Sequence, residues 1–169
     1  MRAVVGHLRN PVGHAPVMKT TPPVREWRRN GYVVSTDMER LDLDVVHGFL
    51  STSYWASTRT PEQQRTVIDA SRCFGLYDEA TGDQVGFARL VTDGVTIGWV
   101  ADVFVVDAHR GRGLGKFVVG CVIDAHPEVR RLILGTRDAH GLYAQFGFTP
   151  LQTPERLMER VASESETPA

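Results

Sequence analysis

Residues 99–120 read WVADVFVVDAHRGRGLGKFVVG. Within this stretch residues 100–106 are almost wholly apolar and mostly β-branched or aromatic, the composition of a buried strand. Asp107 ends the run, and Arg110-Gly111-Arg112-Gly113-Leu114-Gly115 follows as a glycine-rich turn. Phe117, Val118, Cys121 and Val122 then recur at helical spacing. Glycines at a helix start let the backbone approach an anion closely, and the unpaired N–H groups there point at it. Arg110, Arg112 and Lys116 add positive charge at the same place. The stretch is built as strand, turn and helix around a phosphate.

Spacing selects among phosphate binders. A P-loop requires a glycine, four residues, then Gly-Lys-Ser/Thr, but Gly115-Lys116 is followed by Phe117, and Arg110 stands five residues before Gly115. The dinucleotide fingerprint requires G-x-G-x-x-G, whereas Gly111, Gly113 and Gly115 are spaced G-x-G-x-G. The pattern that fits is Gln/Arg-x-x-Gly-x-Gly/Ala after a Leu/Val-x-Val strand, met by Arg110, Gly113 and Gly115. This resembles the pyrophosphate motif of the GNAT superfamily of acetyl-CoA-dependent N-acetyltransferases. A glycine turn serving as a plain loop is the competing reading.

The rest of the chain is consistent with that order. Residues 1–30 hold Pro11, Pro16, Pro22 and Pro23 without sustained periodicity, and read as an N-terminal extension, flexible at least to Met18. Residues 24–29 suggest a short helix, with Trp27 at the core edge. Residues 31–35 form a strand, and Ser35, Thr36 and Asp37 supply capping groups. Leu43, Val46, Phe49 and Leu50 share one helical face, and Tyr54 and Trp55 lie in the loop beyond. Thr60-Pro61-Glu62 opens a second helix reaching about Ser71. Residues 73–77 and 84–91 are strands, and Asp93-Gly94 turns the chain into the strand ending at Val106. The helix after the glycine turn stops before Pro127. Residues 131–136 read as a strand, Asp138 as the cap of a helix over 139–146, and residues 156–161 as a last strand. Residues 162–169 are a polar tail.

A second motif strengthens the resemblance. In the GNAT family an alanine, a tyrosine four residues on, and a Gly-Phe pair four and five residues later recur; Ala139, Tyr143, Gly147 and Phe148 occupy those places. The usual asparagine three before the alanine is Thr136 here, and the usual proline after the strand is Asp107. The resemblance covers residues 31–161 and implies a single α/β (α+β) GNAT-fold domain. Its mixed central sheet has six to seven strands, splayed at the cofactor cleft and flanked by about four helices. It implies acetyl-CoA as co-substrate, with pantetheine along the backbone of Val103, Phe104 and Val105 and pyrophosphate on the amides of Gly111, Arg112, Gly113, Leu114, Gly115 and Lys116 beside Arg110. Tyr143 matches the family's general acid, the alternative being a core aromatic bonded to backbone. Asp102, a carboxylate within an apolar strand, is costly to bury unless paired or used. It takes the amine's proton, holds the ammonium, or pairs with an arginine such as Arg89 or Arg137. His140, one turn from Tyr143, is a further candidate for proton transfer, the alternative being a surface or hydrogen-bonded histidine. Trp99, Tyr54 and Trp55 are either core aromatics or walls of an acceptor site.

Composition bounds the remainder. The chain has 169 residues, 42% hydrophobic and 23% charged, with a net charge of −1. That suits one domain with a full core and gives no electrostatic case for nucleic acid or an anionic membrane. No apolar run approaches the roughly 18 residues of a membrane span. Cys73 and Cys121 fall in core elements and read as buried thiols of a reducing, cytoplasmic compartment. His109 and His126 lack a second ligand at metal spacing, so no metal is expected. The expected partner is a small-molecule or peptide amine, with a homodimer left open. The alternative function is a non-catalytic acyl-CoA-binding module of the same fold. A purely structural role leaves the cationic turn unexplained.

Overall fold

The computed structural model describes residues 23–161. The flexibility expected of residues 1–18 and 162–169 lies outside the described residues. Six strands form one sheet in sequential order: β1 (Glu26–Arg29), β2 (Tyr32–Ser35), β3 (Arg72–Asp78), β4 (Gln84–Thr92), β5 (Gly98–Val105) and β6 (Leu132–Ile133). The first five pair antiparallel, while β6 joins β5 in parallel through a helical crossover. Among the described residues, the mixed six-stranded sheet and four α-helices agree with the expected fold class.

Two helices cover one face: α1 (Leu43–Leu50) and α2 (Pro61–Asp69). The Asp42 side chain accepts from the amides of Asp44 and Val45 to cap α1. Thr60 and Gln63 form a reciprocal capping box at α2. Val46, Leu50 and Ile68 pack there against Phe87 and Phe104. The other face is covered by α3 (Leu114–Ala125), whose Leu114, Val118, Cys121 and Val122 recur at i, i+4, i+7 and i+8 and lie on Phe74, Leu76, Leu90 and Val100. The short α4 (His140–Ala144) follows β6. Both cysteines are buried and free, and among the described residues no helix is long and apolar enough to cross a membrane.

Four expectations are corrected. Residues 24–29 are not helical: β1 lies in the sheet, inside the segment read as an extension. Asn30 and Gly31 have φ of 50° and 79°, the left-handed pair of a two-residue hairpin turn, and this turn closes Arg29 onto Tyr32. Pairing with β2, and the bond from Trp27 Nε1 to Asp124 Oδ2 at 2.8 Å, outweigh the local helical pattern. The strand over 131–136 shrinks to Leu132–Ile133, because β5 bends away beyond Trp99. Asp138 does not cap α4; the Ala139 amide bonds Thr136 Oγ1 at 3.0 Å instead. Residues 156–161 form no strand. A 3₁₀ turn, Pro154–Arg156, occupies the start, and Met158 and Val161 are 97% and 80% exposed, so no apolar face is covered there.

Candidate active site

The anion cradle forms where β5 ends. A 3₁₀ turn (Asp107–His109) leads into the glycines, and Gly111 and Gly113 take φ of 76° and 74°, a region that costs other residues roughly 1–2 kcal/mol. Among the described residues, no acceptor meets the backbone N–H groups of residues 111–116. Six consecutive donors at the positive end of a 12-residue helix make a concentrated anion site. The arginines act mainly as braces. Arg110 Nε donates to the Val105 carbonyl at 3.1 Å and its Nη2 pairs with Asp107 Oδ1 at 2.9 Å. Arg112 turns away from the cradle, donating to Tyr32 Oη at 2.6 Å and to the Ala108 carbonyl at 3.3 Å. Lys116 is exposed at the first turn of α3. Arg29, on β1, supplies a cation that the sequence reading did not include. Its Nη2 lies 3.5 Å from where a Cβ on Gly113 would stand.

The cleft itself comes from a bulge. Between the registered pairs Arg89↔Ala101 and Phe87↔Phe104, two residues of β5, Asp102 and Val103, face one of β4, Ala88. Asp102 takes a left-handed φ of 52° to do so. β5 then runs on to Val105, whereas its pairing with β6 ends at Trp99↔Ile133. Two cavities fill the opening. One, of about 550 Å³, lies beneath the glycine turn and includes residues 103–105, Arg110 and Lys116. The other, of about 580 Å³, lies toward the α1–α2 loop. Trp55, Val103, Ala139 and Tyr143 line both.

Tyr143 is buried at this junction, its ring edge-on to Phe148 with centroids 5.8 Å apart. Its hydroxyl has no hydrogen-bond partner among the described residues, so the backbone-bonded alternative does not hold. Burial, and secondarily the neighbouring Tyr54, raises its pKa above the ordinary phenol value of 10.

The floor of the second cavity is polar. Asp102 is buried, and its Oδ2 accepts from Arg89 Nε at 2.6 Å and from Arg59 Nη1 at 2.7 Å. The same Arg59 nitrogen donates to Gln64 Oε1 at 2.9 Å, and Arg89 Nη1 to Ser71 Oγ at 3.2 Å. The expected pair with Arg89 is therefore present, while Arg137 is elsewhere. Its guanidinium lies 3.9 Å over the Tyr54 ring, and its amide donates to Tyr54 Oη at 3.2 Å. Arg59 was not expected; it is 43 residues from Asp102 and carries no motif. Tyr54, Trp55 and Trp99 are 51%, 42% and 47% exposed and line the cavity, so they are walls and not core. His140 is exposed and faces a different cavity behind α4. Among the described residues, no group of three side chains could hold a metal ion.

Residues 24–148 match the family model described as the acetyltransferase (GNAT) family. A candidate acetyltransferase of Gibberella zeae is 30% identical over 142 residues, covering 72% of this chain and 80% of its own. A crystal structure of a candidate GNAT-family acetyltransferase from Xanthomonas campestris pv. campestris is 41% identical. It superposes with a TM-score of 0.71 over 85% of this chain and 96% of that one. Glucosamine-6-phosphate N-acetyltransferase of Arabidopsis thaliana is 16% identical, with a TM-score of 0.54 over 79% of this chain and 100% of that one, a likeness of fold alone.

Proposed function

The chain belongs to the GNAT acetyltransferase family, and from that premise we propose that it transfers the acetyl group of acetyl-CoA to a primary amine by direct attack on the thioester. The observation that carries this is the junction of two cavities at Tyr143, a buried residue whose hydroxyl has no hydrogen-bond partner among the described residues. Acetyl-CoA supplies an activated acyl group on a thiol leaving group. The unpaired amides of residues 111–116 fit its pyrophosphate, helped by Arg29 and Lys116. The β5 edge at residues 103–105, left without a strand partner on the β6 side, fits the amides of its pantetheine.

The amine attacks in its neutral form, having given its proton to solvent in the open second cavity. Tyr143 Oη donates a proton to the departing sulfur as the C–S bond breaks. The attacking nitrogen, which carries one proton more than the amide product, releases it to solvent in the open cavity, and the phenolate is reprotonated by solvent. At neutral pH Tyr143 is in its phenol form, the form that can donate a proton. Asp102 acts as a positioning residue that holds Arg59 and Arg89 in the cavity floor.

Calorimetric titration with acetyl-CoA, followed by thiol release with a panel of amines, tests the proposal. Binding accompanied by amine-dependent thiol release supports it. Binding without release from any amine makes the protein a non-catalytic acyl-CoA-binding module.

A further inference from the structure

We infer that the amine acceptor also carries a carboxylate, held by Arg59 and Arg137. This rests on the acetyltransferase reading above and specifies its substrate class. The charged side chains lining the second cavity are Arg59, Arg89, Arg137, Asp102 and Asp138, three cations against two anions. Asp138 is exposed and forms no ion pair among the described residues. Asp102 alone therefore serves two arginines whose side chains are 19% and 11% exposed. Two guanidiniums against one carboxylate leave a surplus positive charge at the cavity floor. Such a charge is costly in a half-buried site unless an anion arrives to meet it.

The hydrogen bonding shows where that anion docks. Arg89 spends Nε on Asp102 and Nη1 on Ser71. Arg59 makes both of its bonds through the single nitrogen Nη1, so its Nε and Nη2 have no acceptor among the described residues. Arg137 has no side-chain acceptor among the described residues either. A guanidinium lying 3.9 Å over a tyrosine ring uses its face there, which leaves its N–H edge for a planar acceptor. A carboxylate matches the planar fork geometry of a guanidinium edge. Tyr54, Trp55 and Trp99 give the body of the acceptor apolar walls. The acceptor class is thus a small amino acid-like molecule, a primary amine with a carboxylate and an apolar body. Polyamines, aminoglycosides and lysine-rich peptides bring positive charge to a cationic cavity and are disfavoured.

The test uses the full chain with acetyl-CoA and matched acceptors that differ at one group: free aromatic and aliphatic amino acids, their amides, the corresponding decarboxylated amines, the corresponding aminophosphonates, and spermidine. The expected result is a kcat/KM for the free acids about 10–100-fold above that for their amides, with spermidine poorest. Arg137→Ala, at an exposed position, should collapse that ratio with acetyl-CoA affinity retained; Arg59→Ala should do the same if the variant folds. Equal rates for acids and amides, or a preference for amines, phosphonates or spermidine, overturn the inference and leave the acetyltransferase reading standing. Bound acetyl-CoA with no thiol release from any acceptor overturns both.

Discussion

Arg89 Nε meets Asp102 Oδ2 at 2.6 Å across β4 and β5, at the bulge where Asp102 adopts a left-handed backbone. One carboxylate thus pins two arginines at the point where the sheet begins to open. Asp102→Asn keeps a residue that tolerates this φ and removes only the charge. The expected loss is about 3–5 kcal/mol in denaturant unfolding, because two guanidiniums are left half-buried without their partner. A variant of unchanged stability but greatly reduced kcat would instead identify Asp102 as the proton acceptor.

Gly113→Val places a β-branched residue at a φ of 74° beside Arg29. The turn must change shape, and the amides of residues 111–116 lose their common aim. Acetyl-CoA affinity should fall at least about tenfold by calorimetry. Unchanged affinity in a folded variant would remove the turn from the binding site.

Truncation separates the two parts of the N-terminal segment. A chain starting at Met18 should retain its melting temperature and acetyl-CoA affinity. A chain starting at Gly31 loses β1, with Trp27 on Phe74 and Arg29 beside Gly113. It should melt several degrees lower, since about 1 kcal/mol shifts a domain of this size by roughly 2–4 °C, and it should bind acetyl-CoA more weakly. Equal behaviour of the two truncations would contradict the placement of β1.

The contrast between what was legible and what was not follows from sequence distance. The glycine turn, α3 and Tyr143 were readable because each motif is contiguous and carries its own chemistry. The Asn30-Gly31 turn was also contiguous, but its strand has only four residues and gains its stability from β2 and Asp124. Arg29 and Arg59 reach the site through folding alone, one from an edge strand and one from a loop. The cleft itself arises from a bulge and from strands that diverge, neither of which leaves a pattern in residue spacing. Tyr54, Trp55 and Trp99 are as apolar as core aromatics, and only their exposure in the folded chain separates walls from core.

The raised pKa of Tyr143 fixes the direction of the pH profile. A general acid loses activity as pH rises through its pKa, and burial moves that point above the usual 10. An amine nucleophile gains activity as it deprotonates. The rate should therefore rise with pH through the acceptor's own pKa and show no descending limb below about pH 10. A descending limb near neutrality would assign the acid role to a group other than Tyr143.

Tyr143→Phe bears most directly on the account, because it removes one oxygen and keeps the ring against Phe148. If the hydroxyl gives its proton only as the sulfur departs, it stabilises the transition state and not the bound ground state. Measured as single-turnover thiol release with saturating acceptor, the rate should fall about 10²–10⁴-fold, with the acetyl-CoA dissociation constant nearly unchanged. A near-wild-type rate under conditions where chemistry limits turnover would contradict the mechanism, and an equal loss in acetyl-CoA affinity would reduce Tyr143 to a positioning residue.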